Sequence, residues 1–424
     1  RAPMPRRNRK TLLLLLACIP VLFTFHLFAS QSAAENWPRF RGDNGTGVVS
    51  SGGKLPTEWS PGDFSWNIEL PGLGHASPVI WGDKLFVTSA IDEGAIRYLF
   101  CLNSVTGEQI WSRVIGLARS HKHNKNSWAS STPAVDGEHV YVAFADEETH
   151  TLTAYDFSGD IVWRRDIGTF ESQHGQGVSP IVYNDLVILP NDQMGPSSVV
   201  GFDRKTGHTV WSTIRTHRRT SYATPFILRQ EGRPDELICL SGAMGVSSLD
   251  PNTGHLNWLT GELPLRTVAS PILADGLIIA SCGGGGIGKL LIAVEPGGSG
   301  DISKSHIRYT RERILPYVPT PVAYEGHIYL WNDNGVISCV NAEDGKNVWT
   351  QRAGGNFSGS PIAVDGKLYC ISEDGEVVVI AASPTYELLG RTNLGDPSHS
   401  TPAFANGRLY LRTFHRLACL EAQK

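Results

Sequence analysis

Nine side chains able to make a binding site stand just ahead of proline-led apolar runs: His75, Trp128, His174, Gln176, Tyr222, Arg266, Tyr317, Phe357 and His399. Short polar residues accompany them at Ser77, Ser130, Thr224 and Asn356. A second set is acidic: Asp92, Glu93, Asp146, Glu147, Asp192, Asp333, Glu373 and Asp374, all in turn-rich stretches between apolar runs. Brought to one face, imidazoles and carboxylates together suit a cation, a polar small molecule or a peptide. Taken singly, each carboxylate reads first as a turn residue, because Asp, Asn and Ser side chains bond to nearby backbone. His121 and His123 are too few for a metal centre and read as part of a long solvated loop. No metal site and no catalytic residue is expected.

Other apparent motifs do not survive their context. Gly283 to Lys289, GGGGIGK, has phosphate-loop spacing, but Leu290 follows where Ser or Thr is needed for magnesium. The sequence then continues as an apolar strand, not the helix whose N-terminus would hold a phosphate. It reads as a Gly-rich loop between two strands. HExxH, G-x-S-x-G and kinase signatures are absent.

The elements that must position these residues are short strands. Thr320 to Trp349 is the clearest case, with strands at Pro321 to Tyr324, Ile328 to Trp331, Val336 to Asn341 and Asn347 to Trp349. Glu325-Gly326, Asn334-Gly335 and Asp344-Gly345 separate them, and such turns accept the positive φ angles of tight hairpins. One small antiparallel sheet cannot bury both its faces, so the unit needs neighbours. They are present: a proline close behind Ser or Thr opens an apolar run at Pro78, Pro133, Pro180, Pro225, Pro271, Pro321, Pro361 and Pro402.

A Gly four residues before a Trp runs in phase with this repeat, at Gly107 and Trp111, Gly159 and Trp163, Gly207 and Trp211, Gly254 and Trp258, and Gly345 and Trp349. The fifth unit carries Tyr309 in that place and the seventh has no Trp. The last unit supplies only three strands, and the fourth is available near the start, where Gly62 and Trp66 repeat the spacing. The expected fold is therefore all-β: an eight-bladed β-propeller of four-stranded antiparallel blades, the last closed by an N-terminal strand. Trp66, Trp111, Trp163, Trp211, Trp258 and Trp349 are expected to dock one blade on the next. The nine residues named first fall in the loops leading into the innermost strands, at one mouth of the channel.

Composition agrees with a turn-rich β protein: 45 Gly, 25 Pro and 11 Trp in 424 residues. Basic residues at Arg6, Arg7, Arg9 and Lys10 precede an apolar run from Thr11 to Ser30, and Ser32-Ala33-Ala34 offers a cleavage site. Residues 1–34 are read as a signal peptide or N-terminal membrane anchor, and 35–424 as a single propeller. Without the first 34 residues the chain has 32 basic and 41 acidic side chains, which argues against nucleic acid as a partner. The six remaining Cys are scattered singly and read as buried thiols.

The segments LFCLNSVTGEQIW, LTAYDFSGDIVW and VVGFDRKTGHTVW resemble the repeat of pyrroloquinoline-quinone (PQQ) propellers. WPRFRGDNGTG, HGQGVSP, YVPTPV and ISEDGEV are similar to exported PQQ-like repeat proteins of planctomycete-type bacteria. The resemblance spans nearly all of residues 36–422. It implies a propeller in the periplasm or cell envelope, but that repeat serves several functions. It allows three, in order: a non-catalytic binding or scaffolding module, monomeric, with a protein or small polar ligand at the channel mouth and no cofactor; a BamB-like outer-membrane protein assembly factor; and a PQQ-dependent dehydrogenase using calcium. The family's dehydrogenases hold the quinone between a Trp and a vicinal disulfide, with an Asp as base. This chain has no Cys-Cys, and no catalytic Asp maps onto it. Membrane contact is expected only through an uncleaved N-terminal segment, with lipidation at Cys18 as a further variant.

Overall fold

A four-stranded meander with one apolar run per strand leaves both its faces to be covered by neighbours. The computed structural model, which describes residues 2–3, 36–50 and 54–423, contains eight such sheets. All eight sheets belong to the compact unit of residues 34–424. The expected export segment lies, Ala2 and Pro3 apart, outside the described residues. Among those described, no helix is long and apolar enough to cross a membrane.

Blades 1 to 8 follow in chain order and form an eight-bladed β-propeller, the architecture the repeat predicts. In blade 6 the strands are Val322–Tyr324, His327–Trp331, Val336–Asn341 and Asn347–Arg352, each antiparallel to the next. Blade 8 is completed by Phe64–Glu69, which pairs antiparallel with Arg416–Glu421 and sets Trp66 opposite Cys419. Ring closure thus removes the open edges that a linear stack would leave at its ends.

The Gly-to-Trp spacing has a direct physical reading. Trp66, Trp111, Trp163 and Trp211 each lie under the turn of the following blade, and the Gly of that turn (Gly107, Gly159, Gly207 and Gly254) lies against the indole. A Cβ at Gly207 would sit 2.5 Å from the ring of Trp163, and Gly207 has φ +69°, so both space and backbone demand glycine. The indole N–H donates to a carbonyl of the same turn: Trp66 to Ser104 at 3.3 Å, Trp111 to Phe157 at 2.9 Å, Trp163 to Arg204 at 2.9 Å, Trp211 to Pro251 at 3.1 Å, and Trp349 to Ser383 at 3.0 Å. Tyr309 substitutes through its hydroxyl, 2.9 Å from Ala342 O. Trp258 differs, donating to Glu236 Oε2 within its own blade at 2.8 Å. Between blades the apolar faces interdigitate, as where Tyr329, Trp331 and Cys339 of blade 6 meet Ala363, Leu368 and Val378 of blade 7. The six described Cys are free and buried.

Two sheets carry a fifth strand that the repeat does not predict. The long segment in blade 5 sends Gly300–Asp301 to pair in parallel with the outer strand Leu256–Leu259 of blade 4. Val48–Val49 pairs in parallel with the innermost strand Ile362–Val364 of blade 7.

That second addition belongs to a segment threaded through the channel. Trp37 and Ile80 of blade 1 exchange backbone bonds at 2.9 Å, and Val135 N of blade 2 donates to Pro38 O at 2.8 Å. Arg39 Nη2 donates to Pro225 O of blade 4 at 2.7 Å. The Asn44 amide closes both backbone positions of Ile227, also in blade 4, at 2.7 and 2.9 Å. Ala363 N of blade 7 donates to Gly47 O at 2.7 Å. Residues 37–49 therefore touch innermost strands on several sides and plug the channel, a role that the phrase WPRFRGDNGTG did not disclose in the sequence.

Candidate functional site: the channel mouth

Above the plug, the channel opens into a cavity of about 540 Å³, and the aromatic ring of Phe40 from the threaded segment forms part of its floor. Its walls come from the loops leading into the innermost strands, because a propeller points every such loop at one mouth. Six of the nine residues singled out in the sequence line it: His75, His174, Tyr222, Arg266, Tyr317 and His399. The other three do not. Trp128 packs its indole against Gly94 and donates Nε1 to Ser120 O at 2.8 Å, so it braces the loops of blades 1 and 2. Gln176 is buried and donates Nε2 to Val178 O at 2.9 Å. Phe357 is fully buried edge-on to Trp331, with ring centroids 5.3 Å apart.

The imidazoles form two groups. His75 and His399 lie 4.6 Å apart between centroids, and His75 stacks on Phe414 at 5.1 Å. Opposite them His123 lies 4.8 Å from His174, whose Nε2 is 3.4 Å from Arg266 Nη1. Burial disfavours the imidazolium, and neighbouring cations add to that. It holds His75 well below the ordinary value of 6.5 and His399 below it, and brings His174 down to about 4 with help from Arg266 and His123.

The loop carrying His121 and His123 is not the free solvated loop its length suggests. His123 N donates to His174 O at 3.2 Å, and the Asn126 amide bonds His174 O and Gln176 O at 2.7 and 3.2 Å. Lys125 Nζ reaches Glu373 of blade 7 at 2.7 Å, and Lys125 O meets His399 Nδ1 of blade 8 at 3.2 Å. The loop is thus tied to blades on opposite sides of the mouth. His121 stays exposed.

The carboxylates do not join the imidazoles in the cavity. Asp146 accepts three backbone N–H groups, at Ala118, Glu148 and Thr149. Asp192 is buried against Arg215, 2.7 Å away, and Arg215 continues to Ser247 and Ser241 of the next blade. Asp333 accepts from Tyr317 N at 2.7 Å and Val318 N, and burial nonetheless raises it to about 6. Asp92 pairs with Arg119. Glu373 accepts from Lys125 and Ser358 at the rim. Glu93, Glu147 and Asp374 lie outside the cavity lining.

Most of what sequence reasoning missed is a ring of hydroxyls. Each repeat proline directly follows a Ser or Thr, and from these positions Thr132, Ser179, Ser270, Thr320, Ser360 and Thr401 line the cavity, together with Thr224, which the sequence already points to. Their backbones link blade to blade: Ser77 N to Thr132 Oγ1, Thr132 N to Ser179 Oγ, Thr224 N to Ser270 Oγ, Ser270 N to Thr320 Oγ1, Thr320 N to Ser360 Oγ and Ser360 N to Thr401 Oγ1, all at 2.9–3.0 Å. The signal was present as eight Ser-Pro or Thr-Pro pairs at the repeat period. The Gly-rich stretch, for its part, is a hairpin between Leu277–Gly284 and Ile287–Val294, with Gly285 and Gly286 at the cavity edge. It needs glycine because a Cβ at Gly283 would lie 2.8 Å from the Tyr317 ring.

A family model described as "Outer membrane protein assembly factor BamB" matches residues 66–281 and 293–385, well over half of the chain. The BamB protein of Yersinia pestis is 22% identical over 420 residues, covering 87% of this chain and 98% of that one. The crystal structure of BamB from Moraxella catarrhalis superposes with a TM-score of 0.60 at 15% identity, over 84% of this chain and 98% of that chain. A europium-containing methanol dehydrogenase superposes with a TM-score of 0.67 at 11% identity, over 91% of each, which shows a shared fold. With the repeat, the ring and the family model in agreement, the chain belongs to the PQQ-type β-propeller family whose model carries the BamB description.

Proposed function

We infer that this protein is a non-catalytic, exported binding or scaffolding propeller that takes a ligand or partner segment at the channel mouth. The observation that carries this reading is the blind cavity itself, built from the inlet loops over a plug that the chain supplies. Its lining holds hydroxyls, imidazoles, Arg266 and Lys125, without an Asp, Glu or Cys. Such a donor set suits recognition of a polar molecule. It does not fit a quinone held over calcium, which needs carboxylate oxygens at the ion. Among the described residues no three His, Cys, Asp or Glu are grouped to hold a metal. The test is dye reduction by the purified protein with added PQQ and calcium, on alcohols and aldose sugars. No turnover above buffer is expected, and turnover that disappears in His174→Ala or His399→Ala would overturn the reading.

The match to the BamB model favours a second reading, a part in outer-membrane protein assembly in the cell envelope. Copurification of the tagged chain with outer-membrane assembly proteins, together with acylation of Cys18, is its expected outcome. A monomer eluting alone from solubilised envelopes, with Cys18 unmodified, would set that role aside.

A further inference from the structure

We propose that the channel-mouth cavity is a receptor for a small molecule bearing carboxylate, phosphate or sulfate groups, gripped between Arg266 with His174 on one side and Lys125 with His75 and His399 on the other. The proposal rests on reading the cavity as the binding site and adds the chemical class of its occupant.

The first argument is the sign of charge. The chain as a whole is net negative, at −4, yet the cavity lining carries the cations Lys125 and Arg266 and no carboxylate; burial holds His75, His174 and His399 below the ordinary imidazole value, so they offer ring nitrogens and not charge. The nearby acids are bonded within the protein: Asp333 accepts from the backbone of Tyr317 and Val318, and Glu373 accepts from Lys125 and Ser358 at the rim, which leaves Arg266 as the lining cation with no ion pair among the described residues. Beneath the cavity two buried guanidiniums, Arg39 and Arg41, flank Phe40. Each donates to a single carbonyl, Pro225 O and Pro361 O, and Arg39 Nε with Arg41 Nε and Nη1 are left without a partner among the described residues. Arg412 is also fully buried and bonds Ala76 O, next to His75. Burial lowers all three to about 9, so they remain cationic at neutral pH. Arg266 in the wall and the buried guanidiniums beneath it outweigh the single rim carboxylate of Glu373, and such an excess of cations around a cleft gives a positive potential that attracts anions.

The second argument is unsatisfied hydrogen bonding. Polar groups buried without partners are rare, and each one calls for an explanation. His75 Nε2, His174 Nδ1 and Arg266 Nε belong to lining side chains and have no partner among the described residues. The hydroxyl ring adds donors. Thr132, Ser179, Ser270, Thr320, Ser360 and Thr401 each accept a backbone N–H through the side-chain oxygen. A hydroxyl that accepts in this way keeps its own O–H to donate. Guanidinium, ammonium and a belt of O–H donors form the set that anionic oxygens take up, with Arg266 able to bind in bidentate fashion.

Isothermal titration of the purified full-length chain at fixed low ionic strength tests this, with citrate and inorganic phosphate as anionic probes and sorbitol as a neutral one. Saturable binding of at least one anion is expected, with sorbitol inert and with Arg266→Gln and Lys125→Gln each weakening affinity by about tenfold or more, as loss of a charge-assisted bond does. Thermal unfolding of the unliganded variants at the wild-type temperature confirms that the loss is local. Absence of saturable binding by both anions, or equal affinity in wild type and Arg266→Gln, overturns the proposal. Sorbitol binding that is lost in Tyr222→Ala would overturn the anionic class while leaving the cavity as the binding site. Quinone-dependent turnover would overturn the underlying binding-module reading instead.

Discussion

His174 carries much of the site's chemistry in one side chain: it lines the cavity, touches Arg266, lies beside His123 and keeps a buried, unpartnered Nδ1. Its native pKa of about 4 lies below the ordinary 6.5, so the unfolded chain binds a proton that the native site refuses. Stability from this group is complete above pH 6.5 and is lost as the pH falls toward 4. His75 and His399 shift in the same direction. Urea midpoints measured from about pH 7.5 down to about 4.5 should therefore fall less steeply in His174→Gln than in wild type, because the variant has lost one group that takes up a proton on unfolding. Identical slopes would refute the assignment. Asp192 and Arg215 make a contrasting case, a buried pair within blade 3 whose arginine also bonds Ser247 and Ser241 of blade 4. Arg215→Met leaves a buried carboxylate alone and should cost about 3–5 kcal/mol, whereas adding Asp192→Asn should restore most of it, as read by chemical denaturation. The residue types of the site were legible in the sequence, and six of its nine chosen members reach the cavity. Trp128, Gln176 and Phe357 were not separable from them, because a loop residue's side chain turns to the cavity or to the wall according to contacts such as Gly94 and Trp331 that lie far away in sequence.

At the scale of the element, the blade was legible almost in full because its turns are local chemistry. Blade 6 was placed to within a few residues at each strand end, since Asn-Gly and Asp-Gly fix hairpins without help from the rest of the fold. The reason for the Gly-to-Trp spacing was not legible, since the Gly serves the Trp of the preceding blade and not its own. That arrangement makes a specific claim about Gly207. Gly207→Ala forces a methyl into the Trp163 ring at a backbone φ of +69°, and should destabilise the protein by about 1–3 kcal/mol. Gly276→Ala, also at positive φ but with open space around its Cβ, should cost less, about 1 kcal/mol. Equal losses in the two variants, measured by denaturant midpoint, would mean that the docking contact contributes nothing. The added strands Val48–Val49 and Gly300–Asp301 were beyond the sequence because parallel pairing of two residues leaves no periodic signature.

For the whole molecule, the N-terminal region performs two separable tasks, closing the ring and plugging it. Phe64–Glu69 completes blade 8, while residues 37–49 cross the channel to blades 1, 2, 4 and 7. Closure protects the edge of Arg416–Glu421, which would otherwise present unpaired backbone groups to another chain. The plug instead makes the channel blind and places Arg39, Phe40 and Arg41 beneath the cavity. Two truncations separate the tasks. A chain beginning at residue 54 keeps the closing strand and should remain monomeric in light scattering, folded but less stable, because the backbone bonds of Ile80, Val135, Ile227 and Ala363 lose their partners. It should also lose anion affinity, since the cations under the floor go with the plug. A chain beginning at residue 71 lacks the closing strand as well, and should self-associate through the exposed edge of blade 8. If the shorter chain stayed monomeric and as stable as the longer one, ring closure by the N-terminal strand would not be what holds the propeller together. If the chain beginning at 54 bound citrate as tightly as the full one, the field under the cavity would have no part in recognition, and the anion would be held at the rim by Arg266 and Lys125 alone.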